Sequence, residues 1–134
     1  MGEFVSSHIA RHLPASGGRV LMLGLTFKQN VPDLRNSLVA DIVHLLKAAG
    51  HAVDVHDPLA AAGEAKALYD IELMAGIDGG GRYDCLAGAV AHDSYSKMTP
   101  AQIAGLLAED GLVADIAGMW RDLDLPAGLR RWQL

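Results

Sequence analysis

Arg19-Val20-Leu21-Met22-Leu23-Gly24-Leu25-Thr26-Phe27-Lys28-Gln29-Asn30-Val31-Pro32-Asp33-Leu34-Arg35-Asn36-Ser37 decides how the rest of the chain is read. Its first part, Arg19–Leu25, is nearly all apolar, the pattern of a strand covered by helices on both faces. Its last part runs into a helix whose apolar positions are Leu38, Val39, Ile42, Val43, Leu45 and Leu46, with Asn36 the expected N-cap and Gly50 the stop. A turn from strand to helix at the carboxyl edge of an α/β sheet is where such folds hold ligands. This turn carries an apolar plate (Phe27), a mobile cation (Lys28), an acceptor (Asp33) and a planar fork of donors (Arg35). That set suits a flat base joined to phosphates.

The same alternation extends outward. Residues 2–13 carry Phe4, Val5, Ile9 and Leu13 near helical spacing, with Pro14 as the stop and Ala15-Ser16-Gly17-Gly18 as a joint. His51–His56 reads as a second strand ending at Asp57-Pro58, Ala60–Tyr69 as a helix, and Ile71–Met74 as a short edge strand. Gly76–Arg82, with three consecutive glycines, reads as a surface loop. Cys85–Ala91 is the expected third core strand, Pro100–Glu109 a helix followed by Gly111, and Leu112–Ile116 the last clear strand. The fold class is therefore α/β: a Rossmann-like three-layer domain with a mostly parallel sheet.

With 134 residues the chain makes one domain with a single real core. Apolar residues are 51% and aromatic ones only 5%, so the core is aliphatic. No apolar run reaches the roughly 18 residues of a membrane span, and no leader with a cleavage site opens the chain. The single Cys85 excludes an internal disulfide and fits a reducing compartment. A net charge of −5 without a basic block argues against nucleic acid as a partner. These features read as soluble and cytoplasmic, with no membrane partner.

Several residues have competing readings. Phe27 and Lys28 are the leading candidates for ligand contact, against a core phenylalanine and a merely solvated lysine. Asp33 and Arg35 alternate: Arg35 can grip a phosphate, or Asp33 can cap the next helix while Arg35 pairs with an acid. The turn lacks the second and third glycines of a dinucleotide fingerprint, which disfavours independent NAD binding. Without that turn, Asp57 reads as a strand exit rather than a ribose ligand. His92 can act as an acid or base, although on residue type a loop histidine making one hydrogen bond is the expectation. His8 and His12 have metal-compatible spacing but lack a third ligand, so no metal is expected. Cys85, inside an apolar strand, is expected to be buried and unreactive.

The run Gly24–Ser37 resembles, almost letter for letter, the signature that opens the C-terminal, UDP-binding domain of the UDP-glucose/GDP-mannose dehydrogenase family. Its closest likeness is to the branch that oxidises UDP-N-acetylhexosamines to uronic acids for polysaccharide biosynthesis. Asp115-Ile116-Ala117-Gly118-Met119-Trp120-Arg121 resembles the family's final substrate motif, with Ala117 where that motif carries Arg or Lys. The resemblance implies that residues 1–18 are the end of an interdomain connecting helix and linker, and residues 19–134 the UDP-sugar-binding domain. It implies substrate contacts from Phe27, Lys28, Gln29 and Asn30, a cofactor contact from Arg35, and support from Asp33, Asp115 and Arg121. NAD would be held mainly by an N-terminal domain of the same parent chain, which would also carry the catalytic cysteine. No catalytic residue is then expected here, nor turnover by this chain alone, and the full enzyme would be a homo-oligomer. The alternative is a free-standing α/β nucleotide- or CoA-binding or regulatory module. A receiver-like version with Asp57 as phosphate acceptor lacks the acidic cluster such domains need at the first strand's exit.

Overall fold

The computed structural model describes residues 2–77 and 82–134. The glycine-rich loop expected at 76–82 therefore lies largely outside the described residues. Five strands, β1 (Arg19–Leu23), β2 (Ala52–His56), β3 (Tyr83–Gly88), β4 (Leu107–Asp115) and β5 (Arg130–Gln133), form one sheet in the order β2-β1-β3-β4-β5. Every pairing is parallel, so the sheet is parallel throughout.

The strands' apolar runs are explained by cover on both faces. Val20 and Met22 of β1 enter one core with Cys85, Ala87, Leu112 and Ala114, while Leu21 and Leu23 enter the other with Leu86 and Val113. The first core is closed by α1 (Gly2–Ala10), α2 (Leu38–Ala48) and α3 (Ala62–Tyr69), through Val5, Ile9, Ile42, Val43, Leu46 and Ala65. The second is closed by α4 (Asp93–Ser96), α5 (Pro100–Leu106) and the segment beyond β4, through Tyr95, Ile103 and Trp120. Gly88 permits this closure, since a Cβ there would lie 2.7 Å from the Trp120 ring.

The boundaries differ from the sequence expectation in several places: β3 runs Tyr83–Gly88 rather than Cys85–Ala91, and the short helix α4 was not expected. Helix α2 is capped by Ser37, whose hydroxyl accepts from the Ala40 N–H, while Asn36 sits before it at φ 59°. Ile71–Met74 is not a strand; only Leu73 bridges to Val55. Helix α5 ends at Leu106, and β4 begins immediately after it. Between the pairs Tyr83↔Leu107 and Cys85↔Leu112 the register shifts. This bulge lies within residues 108–111, of which the sequence pattern assigns Ala108 and Glu109 to the end of a helix. Finally, β5 was not expected at all: its charged edge segment pairs with β4 from Leu112↔Arg130 to Asp115↔Gln133.

Candidate functional site

The chain turns from β1 towards β2 on one side and β3 on the other, so the carboxyl ends of β1 and β3 flank a topological switch point. Gly24 stands there at φ 100°, and a Cβ on it would meet Val90 at 2.6 Å. The approach of the β1 exit to the β3 exit therefore requires glycine.

Beyond Gly24 the loop is held from below by a buried polar cluster. Asp57 Oδ2 accepts from the backbone N–H groups of Leu25 (2.7 Å) and Thr26 (3.0 Å), and Oδ1 accepts from that of Leu59 (2.8 Å). His92 Nδ1 accepts from the Asn30 N–H at 2.9 Å, which places the ring proton on Nε2. That Nε2–H lies 3.0 Å from Asp57 Oδ2 and 3.2 Å from Thr26 Oγ1. The Thr26 hydroxyl in turn donates to the Lys28 carbonyl. Burial works against the Asp57 carboxylate, but the bonds from Leu25, His92, Thr26 and Leu59 outweigh it and hold its pKa below the usual 3.8. His92, only 1% exposed, is thus no loop histidine with a single bond. It joins the exits of three strands. Asp57 is likewise more than a strand exit, and its buried, fully engaged carboxylate is unavailable as a phosphoryl acceptor.

The loop's upper part is fastened at both ends. Phe27 N–H donates to the Asp33 carbonyl at 2.7 Å, closing the turn, and Leu34 is fully buried. The Tyr69 hydroxyl donates to the Leu34 carbonyl and accepts from the Ser37 N–H. Ser37 Oγ donates to the Leu25 carbonyl at 2.7 Å. What remains outside is the tip. Phe27 is 55% exposed, Lys28 and Gln29 project into solvent, and the Lys28 ammonium has no salt bridge among the described residues. Phe27 is thus not a core residue.

Other expected site residues are placed differently. The Asn30 amide is engaged by Asp93, donating to its Oδ1 at 3.1 Å and accepting from its N–H at 3.0 Å. Asp33 and Arg35 face each other rather than diverging: Arg35 Nε and Nη2 donate to Asp33 Oδ1 and Oδ2 at 3.0 and 3.1 Å. The Arg35 side chain hydrogen bond and charge lower the Asp33 pKa and, reciprocally, raise that of Arg35. Arg35 is nevertheless exposed, with Nη1 outside this pair. Asp115 is buried and accepts from the N–H groups of Met119 (3.0 Å) and Trp120 (2.9 Å), shaping the turn beyond β4. Ala117 is exposed on that turn, and its N–H donates to the Gly88 carbonyl. Arg121 Nη2 lies 2.9 Å from where a Gly118 Cβ would be, so its guanidinium folds back over the same turn.

A groove of about 210 Å³ runs beside the loop tip, with Phe27, Asn36, Leu38, Ile42, Val90 and Ile116 in its walls. It sits at the carboxyl ends of β1, β3 and β4, against α2. Leu38 is 60% exposed there although its spacing assigns it to the helix's core face. Sequence reasoning missed Leu38, Val90 and Ile116 as groove walls. Their signal was positional: each follows directly on a strand exit or the signature run. His8 and His12 lie elsewhere, His8 stacked on Trp132 at 4.4 Å and His12 Nδ1 bonded to the His8 carbonyl. Among the described residues no group of three His, Cys, Asp or Glu is placed to hold a metal, and no helix is long and apolar enough to cross a membrane.

Residues 21–122 match the model of the UDP-glucose/GDP-mannose dehydrogenase family, UDP binding domain. The chain belongs to this family. A UDP-N-acetyl-D-glucosamine 6-dehydrogenase of Pseudomonas aeruginosa is 37% identical over 116 residues, covering 87% of this chain and 27% of that protein. Protein CapL of Staphylococcus aureus is 33% identical, covering all of this chain and 32% of its own length. In fold, the chain resembles the UDP-D-ManNAc dehydrogenase of Pyrococcus horikoshii, with a TM-score of 0.75 at 16% identity over 97% of this chain and 30% of that one. The chain thus spans about a third or less of the length of the dehydrogenases it matches. The family's UDP binding domain covers both the signature loop and the Asp115–Arg121 turn.

Proposed function

We propose that the Phe27–Lys28 tip and the adjoining groove bind the UDP part of a nucleotide sugar, as one wall of the substrate cleft of an NAD-dependent UDP-sugar 6-dehydrogenase. The 37% and 31% identical relatives that carry the name UDP-N-acetyl-D-glucosamine 6-dehydrogenase favour a UDP-N-acetylhexosamine. The observation that carries the reading is a loop fastened at both ends that leaves one aromatic plate and one unpaired cation exposed beside an apolar groove. Phe27 covers the base or ribose, and Lys28 and Gln29 reach the diphosphate or sugar hydroxyls. Asn30, its amide engaged by Asp93, contributes by holding the tip in place. Asp33 steadies Arg35, whose Nη1 is available for a phosphate of the cofactor.

NAD itself does not fit the β1 turn of this chain. The Leu25 and Thr26 N–H groups, where a pyrophosphate would sit, are capped by the Asp57 carboxylate. Cofactor binding and oxidation of the primary alcohol therefore fall to a further domain, for which α1 forms part of the connection. The role of this chain is to orient the nucleotide sugar, and orientation alone contributes a large share of many rate enhancements. The parent enzyme is a cytoplasmic homo-oligomer that supplies uronic acids for polysaccharide synthesis.

Titration of UDP followed by backbone amide NMR tests the reading. Shifts should concentrate on residues 26–36 and the turn at 115–121. Lys28→Ala and Phe27→Ala should each weaken binding about fivefold or more, roughly 1 kcal/mol, with the melting temperature unchanged. Shifts confined to another face would overturn the assignment.

A further inference from the structure

A second cavity, of about 460 Å³, opens on the opposite face of the sheet, between the carboxyl end of β2 and helices α4 and α5. Ile77, Met98 and Leu106 give it apolar walls, while His56, Ser94 and Gln102 bring polar groups. Among the described residues no Lys, Arg, Asp or Glu lines it. Its size is that of a small-ligand site, apolar with a few convergent polar groups.

The polar groups are set by hydrogen counting. The Tyr95 hydroxyl donates to the His56 carbonyl at 2.8 Å, so at 2.6 Å it can only accept from His56 Nδ1. The His56 proton is therefore on Nδ1, and Nε2 is a lone-pair acceptor with no protein partner among the described residues. Burial lowers the His56 pKa despite the nearby Asp57 charge, which keeps this form at neutral pH. Gln102 Oε1 accepts from the Thr99 N–H in the α5 capping box, leaving its amide N–H groups as donors. An acceptor and a donor thus line a slot with apolar walls, the requirement of a heterocycle that carries an N–H beside a ring nitrogen or carbonyl.

The place in the fold agrees. In dinucleotide-binding Rossmann folds the phosphates sit on the turn after the first strand, and an acidic residue about 20 residues further on holds the ribose beside the base. Here the phosphate position is filled by the buried Asp57 carboxylate on the Leu25 and Thr26 N–H groups. A phosphate at that position would meet a like charge and find its donors taken.

We propose that this cavity is a binding site for an uncharged nucleobase or nucleoside, separate from the UDP groove and selective against phosphorylated forms. The site does not depend on the UDP reading, because it lies across the sheet from Phe27.

Adenosine and AMP, titrated separately against the full 134-residue chain and followed by amide NMR, test it. Adenosine should give saturable shifts at residues 56–58 and 94–106 within about 10 mM, the range of weak small-molecule binding, and AMP should bind roughly tenfold more weakly because of the Asp57 charge. Gly105 lines the cavity, and a Cβ there meets no atom within 4 Å, so Gly105→Phe starts from open space and carries a ring beside the slot. That variant should keep its dispersed spectrum and lose the adenosine shifts, while Gly105→Ala keeps both. No saturable shift, shifts that survive Gly105→Phe, or AMP binding as well as adenosine would each overturn the proposal.

Discussion

Ala117 stands where the resemblance leads one to expect a basic residue, and its place beside Ile116 of the groove makes that expectation testable. Its side chain is exposed and its N–H bonds to the Gly88 carbonyl through the backbone, so an arginine there leaves the turn intact. Ala117→Arg should tighten UDP binding by about three- to tenfold, the scale of one added charge-assisted contact, measured by calorimetric titration. An unchanged affinity would mean that the diphosphate does not pass this turn. Gly24 tests the backbone instead. Its φ of 100° and the 2.6 Å approach to Val90 together make Gly24→Ala costly, by about 2–4 kcal/mol. Urea unfolding of the two proteins gives that number directly.

The loop between β1 and α2 is an element without regular structure, yet hydrogen bonds fasten it at both ends. Its rigidity comes from Asp57 and His92, which connect it to the exits of β2 and β3. Because the Asp57 pKa is lowered on folding, its contribution to stability is fully present above about pH 3.8 and is lost as the pH falls through the folded value. Acid titration should therefore show the amides of Leu25, Thr26 and Asn30 losing exchange protection as the pH falls below about 3.8. In Asp57→Asn that loss should disappear from the profile, and stability at neutral pH should fall by about 2–3 kcal/mol, since an amide cannot accept from both sides. His92 shows why this was hard to read in the sequence. Nothing in Ala91-His92-Asp93 marks the histidine as buried; its partners lie 35 and 62 residues away. The edge strand β5 was hidden for a similar reason. Arg130-Arg131-Trp132-Gln133 has no apolar run, and only β4 beside it makes it a strand.

For the whole molecule, the two cores on either side of the sheet protect the one thiol. Burial pushes the Cys85 thiol up to about 12, and its side chain has no solvent exposure. A thiol reagent should therefore react with it only on unfolding, with a rate that rises in step with denaturant. Fast labelling of the native protein would show that β3 opens locally.

Sequence alone was enough for the α/β class and the order of most elements, while it left Phe27 open between a ligand contact and a core residue. Those features are local: strand and helix periods, capping residues and turn chemistry are written in neighbouring positions. It was also enough for the family, because the signature run is contiguous. Tertiary structure alone decided the bulge in β4, the fifth strand, the pairing of Asp33 with Arg35 and the Asp57–His92 support beneath the loop. Except for the Asp33–Arg35 pair, each depends on groups brought together from distant parts of the chain. In that pair, alternation suggested divergence, and it was the fold of the loop that turned the two side chains towards each other.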